Sequence, residues 1–367
     1  MTEKKMTASG RNEAVYKILK LLLSDEKTVT TFNKPFSSDL VEPLFQTPIW
    51  GHREIVLTII LARLFEPKFK ASQDFYACNP RSLFEKPIRK ALREYGIPHR
   101  KSGPLNVAKN TKKINEDWAS DKHGGEIAMH VVKLVKLIEK VSKPDLKKFA
   151  AAYVSRYKQE AKKVKELRVN LPPEENPIII SKLCIDLINN VPDGGATAQI
   201  IVGLLMETYG KDRRSKVEVS GHRDSVSTTN TTSKKAGDII EKINEGTELI
   251  YEITTKLFSD DRLLESHEAV MAYNNSIKNV FVICRPKDVP ETLAHEGYGS
   301  FILAHTQYKE LAYFFIDIYE YLQSMILFMS PNGKKAFYKN LISYVNDLNT
   351  SEKVKKYFKK WHNENKL

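Results

Sequence analysis

The most constraining stretch of the chain is a hairpin pattern in its second half. Gly237-Asp238-Ile239-Ile240 and Leu249-Ile250-Tyr251-Glu252-Ile253-Thr254-Thr255-Lys256 flank Asn244-Glu245-Gly246-Thr247, a run of turn-forming residues. Side chains alternate across a strand, which puts Leu249, Tyr251, Ile253 and Thr255 on one face. Ile250, Glu252, Thr254 and Lys256 fall on the other. The Tyr/Ile face reads as core. The second face carries a carboxylate and an ammonium roughly 13 Å apart along the backbone at ~3.3 Å per residue, part of which a leaning lysine can cover. Asp238, at the start of the first strand, can meet Glu252 across the hairpin. Two carboxylates converging beside a lysine suit the holding of a hard divalent cation against a phosphate. The same spacing also describes a polar strand face with a surface Glu–Lys pair, so the motif needs support from the rest of the chain.

Charge gives some of that support. Lys and Arg number 58 against 45 Asp and Glu, a formal net charge of +13. Such a balance attracts polyanions, nucleic acid first and acidic membrane second, although a merely soluble basic protein would show it too. The 367 residues suffice for two domains and a large core, and 41% hydrophobic with 28% charged residues excludes wholesale disorder. Cys78, Cys184 and Cys284 stand far apart in no metal-ligand spacing, as expected of reduced, buried thiols. Met1-Thr2-Glu3-Lys4-Lys5 lacks the apolar core of a signal peptide, so a cytoplasmic location is expected. The apolar run from Leu311 to Met329 contains Asp317 and Glu320 and is expected to be a buried helix, not a membrane span.

Along the chain, residues 1–170 read as a basic helical domain with helices over Asn12–Leu23, Trp50–Phe65, Gly125–Val141 and Pro144–Leu167. Within it, Pro98-His99-Arg100-Lys101-Ser102-Gly103-Pro104 is a loop rich in cations, followed by Lys109. It is either a clamp for a phosphate backbone or a solvated loop. Residues 171–330 read as an α/β core, entered through the Pro-rich break at Leu171–Pro177. Its helix from Ala196 to Tyr209 carries Gln199 and Glu207 behind Gly194-Gly195, small residues that admit either a phosphate or tight packing. The Ser/Thr/Asn run from Ser225 to Ser233, followed by Lys234-Lys235, reads as a loop closing on a ligand or as a linker. A helix over Asp260–Asn274, a strand over Val280–Cys284 and a helix over His305–Met329 follow. Residues 331–367 are expected to be Lys-rich C-terminal helices. Arg100, Lys101, Lys109, Gln199, Lys234 and Lys235 are the candidate DNA contacts.

Several of these stretches together resemble the SacI family of type II restriction endonucleases, within the PD-(D/E)xK nuclease superfamily. They are Phe45–Leu64 with Arg53-Glu54-Ile55-Val56-Leu57-Thr58, Ala196–Glu207, Gly237-Asp238-Ile239 and Glu252-Ile253-Thr254-Thr255-Lys256. The superfamily pattern places Pro-Asp before the hairpin and Asp/Glu-x-Lys on its second strand. Here Gly237 stands in for the proline and Thr254 for the lysine, with Lys256 two residues further on. The resemblance implies an α+β or α/β fold, with a helical N-terminal domain beside a restriction-endonuclease-like mixed sheet flanked by helices. It implies Mg²⁺-dependent, sequence-specific double-strand cleavage of unmodified DNA to leave 5′-phosphates. Asp238, Glu252 and the Ile253 carbonyl would be the metal ligands. Lys256 would act on water and phosphate, with Thr254 the competing candidate, and Glu207 would be an additional acid. A homodimer and a cognate DNA methyltransferase are the implied partners. A nucleic-acid-binding module without chemistry, and a repair nuclease or RNase on the same core, are the other readings.

Overall fold

The chain forms two compact units, Met1–Glu166 and Leu167–Leu367, in a computed structural model that describes residues 8–25, 31–121, 125–223, 235–244, 247–293 and 299–365. The first unit is helical. Its longer helices are α1 (Ala8–Ser24), α2 (Ser38–Gln46), α3 (Gly51–Phe65), α4 (Gly125–Lys140) and α5 (Lys143–Glu166). α3 is buried along almost its whole length and, Thr58 and Arg63 apart, is apolar beyond its first turn, so its neighbours wrap it and share one core. Between α3 and α4 the chain is helical from Pro80 to Glu94, with a π-helical turn over Phe84–Ile88 accommodating Pro87. Gly103, at φ +53, lies against the Phe84 ring, where a Cβ would stand only 2.2 Å from a ring carbon. The basic loop is therefore packed down on the helices, not loose.

The second unit holds a mixed α+β core. β1 (Glu218–Ser220), β2 (Ile239–Asn244), β3 (Thr247–Thr254), β4 (Asn279–Cys284), β5 (Ile302–Tyr308) and β6 (Leu311–Asp317) form a six-stranded sheet in the order β1-β2-β3-β4-β6-β5. The pairs β3–β4 and β4–β6 are parallel and the others antiparallel. The helices are α6 (Pro177–Asn190), α7 (Ala196–Asp212), α8 (Asp260–Tyr273), α9 (Ile318–Phe328), α10 (Pro331–Asn346) and α11 (Glu352–Glu364). α8 is the crossover between β3 and β4 and covers one face through Leu263 and Val270. On the other face α6, α7, α9, α10 and α11 share a core with Ile239, Tyr251 and Ile253. The alternation read in the hairpin is thus real, but both faces of β3 are covered. Ile250 and Glu252 lie under α8, not in solvent.

The structure differs from the expectations in three places. The helix expected over His305–Met329 is instead β5, β6 and α9. β6 is an interior strand covered on both faces, and such strands lose the polar alternation that would identify them. A two-residue turn at Lys309-Glu310, with Lys309 in the left-handed region at φ 52, joins β5 to β6. Asp317 then caps α9 by accepting from the Tyr319 and Glu320 amides at 2.7 and 3.4 Å. Second, the boundary falls at Glu166, where α5 ends, and not at residue 170. Third, the C-terminal helices are no separate domain. Val354, Phe358 and Trp361 make an apolar stripe at helical spacing beneath the Lys-rich exterior and join the same core as α7. The Ser225–Ser233 run and Lys234 lie outside the described residues.

Candidate active site

The site sits where β3 ends. The register pairs Ile239 with Tyr251, which brings Asp238 opposite Glu252 one step further along. Asp238 Oδ2 accepts the Ile253 amide at 2.9 Å, fixing the carboxyl at the mouth of the hairpin. Glu252 is 4% exposed, and its Oε1 accepts from the Ser266 hydroxyl of α8 at 3.1 Å. The two carboxyl groups are close enough to act on each other electrostatically. Burial pushes both above the ordinary carboxylate range, and the neighbouring Asp238 raises Glu252 further. Two carboxylates this close in a poorly hydrated setting cannot both carry charge without a cation or a shared proton.

Beyond Thr254 the strand gives way to a turn. The Thr254 hydroxyl donates to the Lys256 carbonyl at 2.8 Å and accepts the Lys256 amide at 3.0 Å. This local hydroxyl–backbone pairing ends the extended conformation. Lys256 therefore does not continue the face of Glu252, contrary to the alternation, and stands exposed on the turn. The turn is pinned from behind: Arg285 pairs with buried Asp288 at 2.6 Å and donates to the Thr255 carbonyl, while the Phe258 amide donates to the Asp288 carbonyl at 3.1 Å.

A cleft of about 250 Å³ opens at this point, lined by Asp238, Ile253, Thr254, Thr255 and Lys256 together with Gly194, Gly195, Gln199 and Arg262. Gln199 is 3% exposed. Its Nε2 donates to the Gly221 carbonyl at 3.1 Å, whereas its Oε1 is buried with no hydrogen-bond partner. Arg262, in the first turn of α8, donates from Nη1 to the Thr254 hydroxyl at 2.6 Å and lies 4.7 Å over the Phe258 ring. Sequence reading missed both Arg262 and Ser266. One signal was available: a cation in the first turn of a helix opposes the helix dipole, so Arg262 is held there for another reason.

The structure thus gathers Asp238, Glu252, Ile253, Thr254, Lys256 and Gln199 at one place, and Lys235 is close enough for its charge to act on Asp238. Glu207 is not in this group. It pairs with Lys211 at 2.6 Å and with Arg223 at 3.1 Å, because its position on α7 is two turns beyond Gln199. Ile253, whose carbonyl is the expected metal ligand, is tied to Asp238 through its amide. Arg100, Lys101 and Lys109 belong to the first unit, all exposed. There the Arg100 amide donates to Glu54 Oε1 at 2.7 Å and its guanidinium lies 4.5 Å over Trp50.

Among the described residues no group of three or more His, Cys, Asp or Glu is placed to hold a metal ion, and the Asp238–Glu252 pair is a two-carboxylate candidate. The pair fits Mg²⁺, an ion commonly held by one or two carboxylates with water and phosphate oxygens completing its shell. The three cysteines are buried and unpaired, as expected. No helix among the described residues is long and apolar enough to cross a membrane. No protein-family model and no curated protein matches the chain.

Proposed function

We propose that the second unit is a Mg²⁺-dependent nuclease, and that the chain as a whole is a type II restriction endonuclease on a restriction-endonuclease-like core. The observation that supports this best is a buried Glu252 carboxyl set beside the half-buried Asp238 carboxyl, which lines an open cleft. Such an arrangement costs stability in the free protein and is relieved by a cation, so it is better explained by a ligand than by folding.

In this reading Asp238 and Glu252 hold the ion, and Ser266 keeps the Glu252 carboxyl oriented. Bound Mg²⁺ would supply charge neutralisation and Lewis-acid stabilisation at the scissile phosphate. The cations lining the cleft, Lys256 and Arg262, face the phosphate oxygens. A water oxygen forms the new bond to phosphorus, the bond to the 3′ oxygen breaks, and that oxygen leaves with a proton. The products are a 5′-phosphate and a 3′-hydroxyl. The exposed cations Arg100, Lys101 and Lys109 give the first unit an electrostatic grip on the duplex backbone. A two-fold dimer on a symmetric target, a cytoplasmic setting and a companion DNA methyltransferase complete the proposal.

The test is incubation of the purified chain with unmodified supercoiled plasmid, in Mg²⁺ and in EDTA. Discrete Mg²⁺-dependent fragments are expected. A smear would point to a repair-type nuclease or RNase-like core, and uncut but shifted plasmid to a binding module.

A further inference from the structure

The superfamily pattern that the hairpin resembles has a lysine two residues after its second acid, and that position here is Thr254. A threonine cannot balance charge on a phosphate. Its hydroxyl, moreover, is fully engaged. It donates to the Lys256 carbonyl and accepts from the Lys256 amide and from Arg262 Nη1, which fills its one donor and two acceptor places. Thr254 is therefore no candidate for orienting a water. It works as a bracket, and what it holds is a guanidinium.

We infer that Arg262 is the phosphate-directed cation of this site, delivered from α8 to the place beside the acid pair that the strand leaves uncharged. Three observations converge on this. Arg262 Nη1 is 2.6 Å from the Thr254 hydroxyl, which stands at the missing lysine's position. The Phe258 ring, its centroid 4.7 Å from the guanidinium carbon, supports the guanidinium from one side. Arg262 lines the same cleft as Asp238, and its positive charge acts on both Asp238 and Glu252. The contact to Thr254 uses one of five N–H donors, and the fork geometry suits two oxygens of one phosphate, which a lysine ammonium meets only as a point charge. Lys256 has no comparable bracket. Its backbone is tied to Thr254 and its side chain is exposed on the turn, so it serves the site as a peripheral cation.

The inference rests on the nuclease reading, and two readouts keep the fates of the two apart. Arg262→Gln, Arg262→Lys and Lys256→Ala are compared with wild type in single-turnover plasmid cleavage at saturating enzyme in Mg²⁺. Binding of labelled linear plasmid in Ca²⁺ is followed against salt. Arg262→Gln is expected to slow cleavage on the order of 10²- to 10³-fold, as loss of a preorganised transition-state donor does. Arg262→Lys should recover part of that loss, and Lys256→Ala should fall by about tenfold, a smaller defect. The salt slope of Arg262→Gln should shrink by about 0.9, the change expected when one phosphate is no longer neutralised. Cleavage by Arg262→Gln within tenfold of wild type, or a larger defect in Lys256→Ala, overturns the inference. If Arg262→Gln fails to fold, the ranking of Arg262→Lys against Lys256→Ala decides. If the wild type itself does not cut, the nuclease reading fails, and the salt slope alone then judges Arg262: an unchanged slope means that the arginine is only a counterion to the acid pair.

Discussion

Each unit of this protein buries charge, and the two do it in opposite ways. In the first, Arg53 is fully buried, with its guanidinium 4.5 Å over Trp50, 5.4 Å over Tyr157 and 3.8 Å from the Glu160 carboxylate. Beside it Glu54, also fully buried, accepts the Arg100 amide. In the second unit two acids face each other at the edge of a cleft. Burial raises a carboxyl in both places, Glu54 to about 7 and Asp238 and Glu252 likewise upward. A raised carboxyl pKa therefore does not by itself mark a functional site. What differs is the neighbour. Glu54 has two arginines that lower it again and no acid beside it that raises it, whereas Glu252 has Asp238 raising it against a single arginine, Arg262, that lowers it. The first cluster pairs its acid with cations and ties down the basic loop through the Arg100 amide; the second sets two acids together beside Arg262, at a cleft open to a ligand.

That contrast is most sharply broken at the level of turnover. Asp238→Asn or Glu252→Gln should lower cleavage by on the order of 10³-fold or more, since several kcal/mol of metal-dependent stabilisation are lost. Glu54→Gln, which keeps an acceptor for the Arg100 amide, should stay within a few-fold. Equal losses in plasmid cleavage would erase the distinction. Next in size is stability. Arg53→Ala strips a buried cluster of its cation and should destabilise the first unit by about 3–5 kcal/mol in urea unfolding. A change under about 1 kcal/mol would mean that the cluster anchors nothing.

A smaller effect, of opposite sign, belongs to the acid pair. The folded-state pKa of Glu252 is raised, so the folded chain retains a proton that the unfolded chain releases, and stability falls as pH rises through the window between the two values. Glu252→Gln removes this loss and should be more stable than wild type by about 1–2 kcal/mol near neutral pH, with the advantage vanishing below pH ~4. Thermal melts across pH would show it, and a variant less stable than wild type at every pH would refute it. Smallest is the contribution of the exposed cations. Neutralising Arg100, Lys101 and Lys109 together should flatten the salt dependence of DNA binding by up to about 0.9 for each phosphate that is no longer neutralised.

The hairpin was legible because its information is local: a turn, an alternation of period two, and two acids that the register must oppose. The helices of the first unit and the crossover helix were legible for the same reason. β6 was not, because an interior strand covered on both faces reads as a plain apolar run, although Asp317 followed three residues later by Glu320 is the spacing of a capping box and could have divided it. Nor was the cation of the site. Alternation places Lys256 on the face of Glu252 only if the strand continues, and the Thr254 hydroxyl ends it. Arg262 reaches the same place only through the turn from Thr255 to Ser259, a tertiary meeting that no spacing rule reports. Glu207 shows the converse: an acid on the right helix can still face two cations of its own.

The order in which the acid pair becomes buried has a kinetic side. The β2–β3 hairpin is a local element that closes quickly, and when it forms alone Asp238 and Glu252 meet in water, where their repulsion is weak. Only when α8 crosses over and β4 pairs with β3 does Ser266 come down on Glu252 and the water leave. If the hairpin closes before α8 docks, the penalty is incurred late in folding. A substitution that relieves it should leave the folding rate nearly untouched and slow unfolding instead, as low-φ positions do. In a chevron plot Glu252→Gln would shift the unfolding limb alone. If the acid pair holds the proposed Mg²⁺, the loaded protein would likewise persist longer before opening.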